Sequence, residues 1–164
     1  MKRVLAPVAL ILAIAVGAVG VGAALASSIT KTQFTANYSG KVTEAVNGNA
    51  VTATPKGKGK GTLIGKSTLT GTVSASTANP PCTPLGGTGL LTGAKSTLKL
   101  KFVTPSRACA AGSDDQNNIS FSGSAKVTGG TGALKKAKGT LHFSGHYDRG
   151  TGAFTVKLTG TLRH

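Results

Sequence analysis

From Phe34 onward the chain alternates. One register reads Phe34, Ala36, Tyr38, Gly40, Val42, Glu44 and Val46, and the interleaved one reads Thr35, Asn37, Ser39, Lys41 and Thr43. Successive side chains of a strand point to opposite faces, so this is a strand with one face buried and one wet. Asn47-Gly48 then supplies a dipeptide that accepts the positive backbone angles of a tight hairpin. A long register follows through Gly61, Leu63, Gly65, Leu69, Gly71, Val73 and Ala75, with Lys60, Thr62, Lys66, Thr68, Thr70 and Thr72 opposite. A strand of that length bends or breaks, and Gly65-Lys66-Ser67 is the predicted place.

Four more strands are cleanly written. Leu98, Leu100 and Phe102 alternate with Thr97, Lys99 and Lys101; Ile119, Phe121, Gly123, Ala125 and Val127 alternate with Ser120, Ser122, Ser124 and Lys126. Ala137, Gly139, Leu141, Phe143, Gly145 and Tyr147 alternate with Lys138, Thr140, His142, Ser144 and His146. Phe154, Val156, Leu158, Gly160 and Leu162 alternate with Thr155, Lys157, Thr159, Thr161 and Arg163. No comparable stretch carries a helical period. Every Phe and Tyr falls on an apolar register, and most strand lysines fall on the other. A flat sheet cannot hide such a face, so the sheet must close or stack. Glycines on the inner register (Gly40, Gly71, Gly123, Gly145, Gly160) suit the sharp coiling of a small barrel. The expectation is an all-β fold: a closed antiparallel barrel of about eight strands.

The N-terminal segment reads differently. Lys2 and Arg3 precede an uncharged run from Val4 to Leu25, and Ala24-Leu25-Ala26 gives the small-x-small pattern of a cleavage site. Residues 1–26 are therefore expected to be a signal peptide and residues 27–164 a single barrel domain, secreted or otherwise extracytoplasmic. The competing reading is a retained anchor, since the apolar run could span a bilayer; Gly17, Gly20 and Gly22 weaken it, and cleavage leaves no membrane span. Export suits Cys82 and Cys109, the only two cysteines, as a disulfide, with two free thiols as the alternative.

Charge and composition mainly exclude. The 164 residues hold 19 Lys+Arg against 4 Asp+Glu, with 3 His, 2 Cys, 5 Phe, 2 Tyr and no Trp. One Glu and three Asp leave little for a carboxylate metal centre. His142 and His146 share a polar register but stand roughly 13 Å apart at about 3.3 Å per residue, too far to hold one ion between them. The run Asp114-Asp115-Gln116-Asn117-Asn118 has oxygen ligands without the spacing of a calcium loop, so a polar connection is expected there. No cofactor and no metal are implied. Asn37-Tyr38-Ser39 and Asn118-Ile119-Ser120 fit the glycan acceptor pattern, which matters only in a eukaryotic secretory host.

An internal repeat stands out. Residues 86–98 read GGTGLLTGAKSTL and residues 129–141 read GGTGALKKAKGTL, identical at nine of thirteen positions. Each Gly-Gly-Thr-Gly is expected to turn and lead into a strand; a phosphate cradle would need a βα unit that is missing here. The second copy, Gly129-Gly130-Thr131-Gly132-x-Leu134-x-x-Ala137-x-Gly139-Thr140, resembles the allene oxide cyclase and dirigent-like barrel superfamily, in the style of small exported bacterial members. In that superfamily a GGTGxFxxAxG segment closes one end of an eight-stranded antiparallel barrel; Leu134 stands where an aromatic is usual.

Two kinds of function are compatible with these features. The first is a non-enzymatic exported barrel that binds a ligand or associates with the cell surface. Its partners would be a small apolar ligand in the lumen or anionic surface polymers drawn to the basic exterior, against the plainer reading of a solvated coat. Nucleic acid is disfavoured because the aromatics lie on the buried face and offer no stacking platform. The second, which the resemblance implies, is a lyase, cyclase or isomerase working inside the barrel. The tentative lumen residues are Glu44, Tyr38 and Tyr147: an inward carboxyl could act as acid or base, and two hydroxyls could join it. The alternative for Glu44 is a place at the strand mouth, pointing to water.

Overall fold

In the computed structural model, residues 30–78, 81–112 and 117–164 are described. The predicted leader and residues 114–116 of the polar run lie outside them. The chain order is β1 (Lys31–Asn47), β2 (Ala50–Gly61), β3 (Gly65–Ser76), β4 (Cys82–Pro84), β5 (Gly86–Gly93), β6 (Thr97–Ala110), β7 (Asn118–Gly130), a 3₁₀ turn η1 (Gly132–Leu134), β8 (Lys138–Asp148) and β9 (Ala153–Arg163). Every pairing is antiparallel. The ring runs β6-β5-β3-β2-β1-β9-β8-β7 and closes through β6–β7; β4 pairs with β6 outside it. The fold is an all-β, eight-stranded closed barrel with one extra strand.

The pattern of alternation places β1, β7, β8, β9 and the first part of β6 where the sequence predicts them; β6 runs on past Phe102 to Ala110. It misplaces three things. The break expected at Gly65-Lys66-Ser67 comes earlier: the chain turns at Thr62, Leu63 and Ile64, and Gly65 opens β3 with φ 68°. Ile64 is buried by that turn, which tucks it into the core instead of extending the strand. The first hairpin loop is Gly48-Asn49, one residue later than Asn47-Gly48, with Asn47 paired to Ala50. Finally, the first Gly-Gly-Thr-Gly lies inside β5 and does not turn.

That last difference has a packing cause. Leu91 and Leu134 occupy the same place in the two repeat copies, and both are essentially excluded from solvent (0 % and 1 % exposed). In the first copy β5 lies between β3 and β6, whose ladders hold it extended while Leu91 points inward. In the second copy Lys135 and Lys136 follow Leu134, and the chain folds back as η1 so that Leu134 and Ala137 go in and both lysines stay out. The copies also touch: the Thr97 amide donates to the Thr131 hydroxyl at 3.0 Å.

β2 carries no apolar run over its second half, which reads Lys56-Gly57-Lys58-Gly59-Lys60-Gly61. Its lysines are exposed and its glycines face inward. Three aromatic rings occupy the space those glycines vacate. A Cβ at Gly57 would lie 2.9 Å from Phe154, one at Gly59 2.6 Å from Tyr38, and one at Gly61 3.4 Å from Phe34. Phe34, Tyr38 and Phe154 are correspondingly buried, each contributing roughly 1.5–3 kcal/mol by leaving water.

Burial is graded along the barrel axis. At the end where β1 begins and β9 finishes, Phe34, Leu91, Leu98, Leu134, Leu141 and Leu162 fill the lumen, and η1 and the β2–β3 turn cap it. Towards the other end the inward residues Val42, Leu69, Phe102, Phe121 and Tyr147 are only partly buried. There Cys82 and Cys109, paired directly across β4 and β6, form the disulfide and fasten the outside strand to the rim.

Two stability measurements follow. Gly59→Val should lower the unfolding free energy by about 1–3 kcal/mol in a denaturant titration, because the new side chain meets the Tyr38 ring and the β1 backbone. Replacing both Cys82 and Cys109 by Ala should cost roughly 3–4 kcal/mol, the chain-entropy value for a loop of 27 residues.

Candidate functional site

The half-filled lumen is a cavity of about 650 Å³, lined from all eight ring strands and open at the disulfide end. Its wall is mainly aliphatic and aromatic. Val42, Val51, Leu69 and Val73 come from β1 to β3, Leu100 and Phe102 from β6, and Phe121, Phe143 and Phe154 from β7 to β9. Phe143 stacks against Phe102 with ring centroids 4.6 Å apart and touches Phe121 at 6.4 Å. Gly145, opposite Phe121, leaves room for that ring: a Cβ would lie 2.5 Å from its Cζ. The size falls within the range of small-molecule pockets.

β6 is irregular beside this space. Between Val103 and Arg107 it carries two more residues than β7 does between Ser124 and Ser122, a bulge. Ser106 returns from the bulge into the interior, where its hydroxyl donates to the Val103 carbonyl at 2.6 Å and accepts from the Ser124 amide at 3.2 Å. Gly123 has no side chain because Ser106 and the Phe143 ring, 2.7 Å from where a Cβ would be, fill that place.

One charged cluster touches the cavity. Glu44 ends the inward register of β1, and its side chain is 18 % exposed, with Oε2 3.4 Å from Nε of Arg149. Tyr147, from the inward register of β8, lines the cavity beside the same carboxylate. Arg149 is delivered by the β8–β9 turn. Asp148 Oδ1 accepts the Thr151 amide at 3.1 Å, and the Arg149 amide donates to the Asn117 carbonyl at 2.8 Å. Lys41 Nζ donates to the Thr151 carbonyl at 2.7 Å, and the Val42 amide to the Gly152 carbonyl at 2.8 Å, tying that turn to β1 beside Glu44. The Thr151 hydrogen bonds hold the Asp148 carboxyl below its usual range. Burial, and then the Glu44 charge, raise the Tyr147 pKa above the ordinary 10.0.

The three tentative lumen residues thus do not share one site. Glu44 and Tyr147 meet at the mouth. Tyr38 lies at the capped end, outside the cavity lining, with its hydroxyl 2.8 Å from Ser67 Oγ; burial raises its pKa, partly offset by that hydrogen bond. Arg149 was invisible to alternation because it sits in a turn; its signal was the hairpin itself, which returns to the level of Glu44 once β9 pairs with β1. His142 faces outward, with Nδ1 3.0 Å from Ser124 Oγ.

Chemically, the mouth offers a carboxylate, a guanidinium and a phenol beside an apolar chamber. Such a set orients the polar end of a molecule whose body fills the chamber. With side chains 40 % and 18 % exposed, the ion pair itself adds no more than about 1 kcal/mol to stability.

Alkaline titration followed by tyrosinate absorbance should give two midpoints above 10.0, and Tyr38→Phe and Tyr147→Phe should each remove one. Both raised values mean stability that is fully present below the ordinary tyrosine pKa and is lost as pH rises through the folded-state values. Either variant should lessen that alkaline loss.

Comparison with protein-family models, with curated proteins and with solved structures finds no match to this chain.

Proposed function

We propose that this protein is an exported, non-enzymatic carrier that binds one small, largely apolar molecule inside the barrel. The carrying observation is the cavity of about 650 Å³, with a mainly apolar wall and its charged groups at the mouth. Export rests on the leader pattern of residues 1–26 and is supported by the Cys82–Cys109 bridge, which persists in oxidising compartments. Kinship with the allene oxide cyclase and dirigent-like superfamily is part of the same proposal, supported by eight-stranded closure and by Leu134 at the capped end. The ligand enters with its apolar part first and leaves a polar end at Glu44, Tyr147 and Arg149.

The alternative is a lyase, cyclase or isomerase acting in the same lumen. What favours it is a phenol, Tyr147, and a carboxylate, Glu44, side by side at the edge of an apolar chamber, groups that can hold or move a proton. Against it, Glu44 is paired with Arg149, and Tyr38 is committed to Ser67.

The neutral dye N-phenyl-1-naphthylamine should brighten on titration with the protein. Ala53→Trp, which puts an indole into the lumen from β2, should weaken that binding at least tenfold while the fold is kept. Equal dye response in both proteins would remove the carrier reading. Native mass spectrometry of protein from its source should show an added small molecule. To separate the two readings, an extract of the source is incubated with wild type and with Glu44→Gln. A product formed only by wild type would establish the enzyme.

A further inference from the structure

The outer face of β1, β2 and β3 poses a problem that folding does not explain. Lys56, Lys58 and Lys60 lie on the outside of β2, in line. Cross-strand pairing puts Lys41 directly opposite Lys56, and Lys60 directly opposite Lys66. Lys157 flanks the row through Asn37. The positions between them are polar and neutral: Asn37, Ser39, Thr68 and Thr70. The one ion pair among the described residues is Glu44–Arg149, at the mouth; Lys41 feels the Asp148 charge across the β8–β9 turn, and no described acid pairs with Lys56, Lys58, Lys60 or Lys66.

Each feature costs stability. Like charges directly opposite each other repel, and both Lys and Gly are poor strand residues. The glycines of β2 are accounted for by the aromatic rings inside, but those rings demand nothing of the outward residue. Thr would serve there, as it does at Thr68, Thr70 and Thr72 of β3. Lysine often guards exposed sheet edges, yet β2 is hydrogen-bonded on both sides and has no edge to guard. A repulsive row kept where the fold does not need it points to a partner that relieves it.

We propose that this face is a track for a linear phosphate polymer. Alternate residues of a strand are about 6.6 Å apart, so the three β2 lysines form a straight file of evenly spaced cations. Point-like ammonium groups, with hydroxyl and amide donors beside them, suit phosphate oxygens. A file of charges on a convex wall matches a chain and not a plane, which selects a polymer over a lipid surface. All seven aromatic rings belong to the interior core, so bases have nothing to stack on and the polymer is read by its backbone charge alone. This site lies outside the barrel and does not depend on the lumen binding anything.

The test uses the disulfide-bonded protein and end-labelled inorganic polyphosphate, followed by fluorescence anisotropy over a salt series. Replacing Lys56, Lys58 and Lys60 together by Gln should weaken binding at least tenfold and flatten the log–log salt slope by roughly 2. The charge-matched control, Lys99, Lys101 and Lys126 together to Gln on the far wall, should stay within about threefold of wild type. Lys56, Lys58 and Lys60 together to Arg should bind as wild type does. A single-stranded oligonucleotide of equal charge should bind no more tightly than polyphosphate. The proposal is overturned if both Gln triples lose affinity equally, if the oligonucleotide is strongly preferred, or if only anionic phosphatidylglycerol vesicles are bound.

Discussion

Everything in this barrel depends on fitting large rings into a ring of eight strands. The interior of a closed eight-stranded sheet is only wide enough for side chains to meet. Seven aromatics compete for it, and three of them fit because β2 gives up its own inward side chains. Phe34, Tyr38 and Phe154 lean across onto Gly61, Gly59 and Gly57. The arrangement is reciprocal. The rings have depth because the glycines are bare, and the glycine strand is held in place because rings cover it and two ladders flank it. A strand of alternating Lys and Gly has no tendency of its own to form, so tertiary packing supplies the reason.

The same constraint explains why the lumen is filled at one end and hollow at the other. Where η1 and the β2–β3 turn fold inward, Leu134 and Ile64 add two more side chains to the capped layer. At the opposite end nothing equivalent folds in among the described residues. What remains is a chamber walled by Phe102, Phe121 and Phe143 with one charged cluster at its rim. The polar groups are there because a hairpin turn can present Arg149 to water and to Glu44 at once, whereas a charge deeper inside would lose its hydration without repayment.

Alternation made most of this legible. Period-two patterning named the buried face of every strand that has apolar residues, including the inward place of all five Phe and both Tyr. It located β7, β8 and β9 closely and the first part of β6, and two cysteines in the whole sequence left one possible pair. It was silent about β2, whose inward positions past Pro55 are glycines and carry no hydrophobic signal. It could not tell that equal sequences at residues 86–89 and 129–132 would differ, since neighbouring strands decide that. Register also tells which face a residue takes but not which end of the barrel it reaches. Glu44 and Tyr38 share a register six residues apart, yet one borders the cavity and the other lies in the capped layer. Arg149 required knowledge of pairing across the whole chain, because β1 meets β9 more than a hundred residues later.

The gradient of burial along each strand gives the molecule two separable tasks on the same eight elements. Each strand places some of its inward residues in the packed layer and others on the chamber wall, at intervals of two positions. Exchanging Val42, Ala53 or Val73 alters the chamber's shape while leaving Phe34, Leu98 and Leu162 in their places. Such a barrel can change what it accommodates by small substitutions near its mouth without disturbing the layer that keeps it folded. The capped half acts as a hull, and the open half as its exchangeable hold.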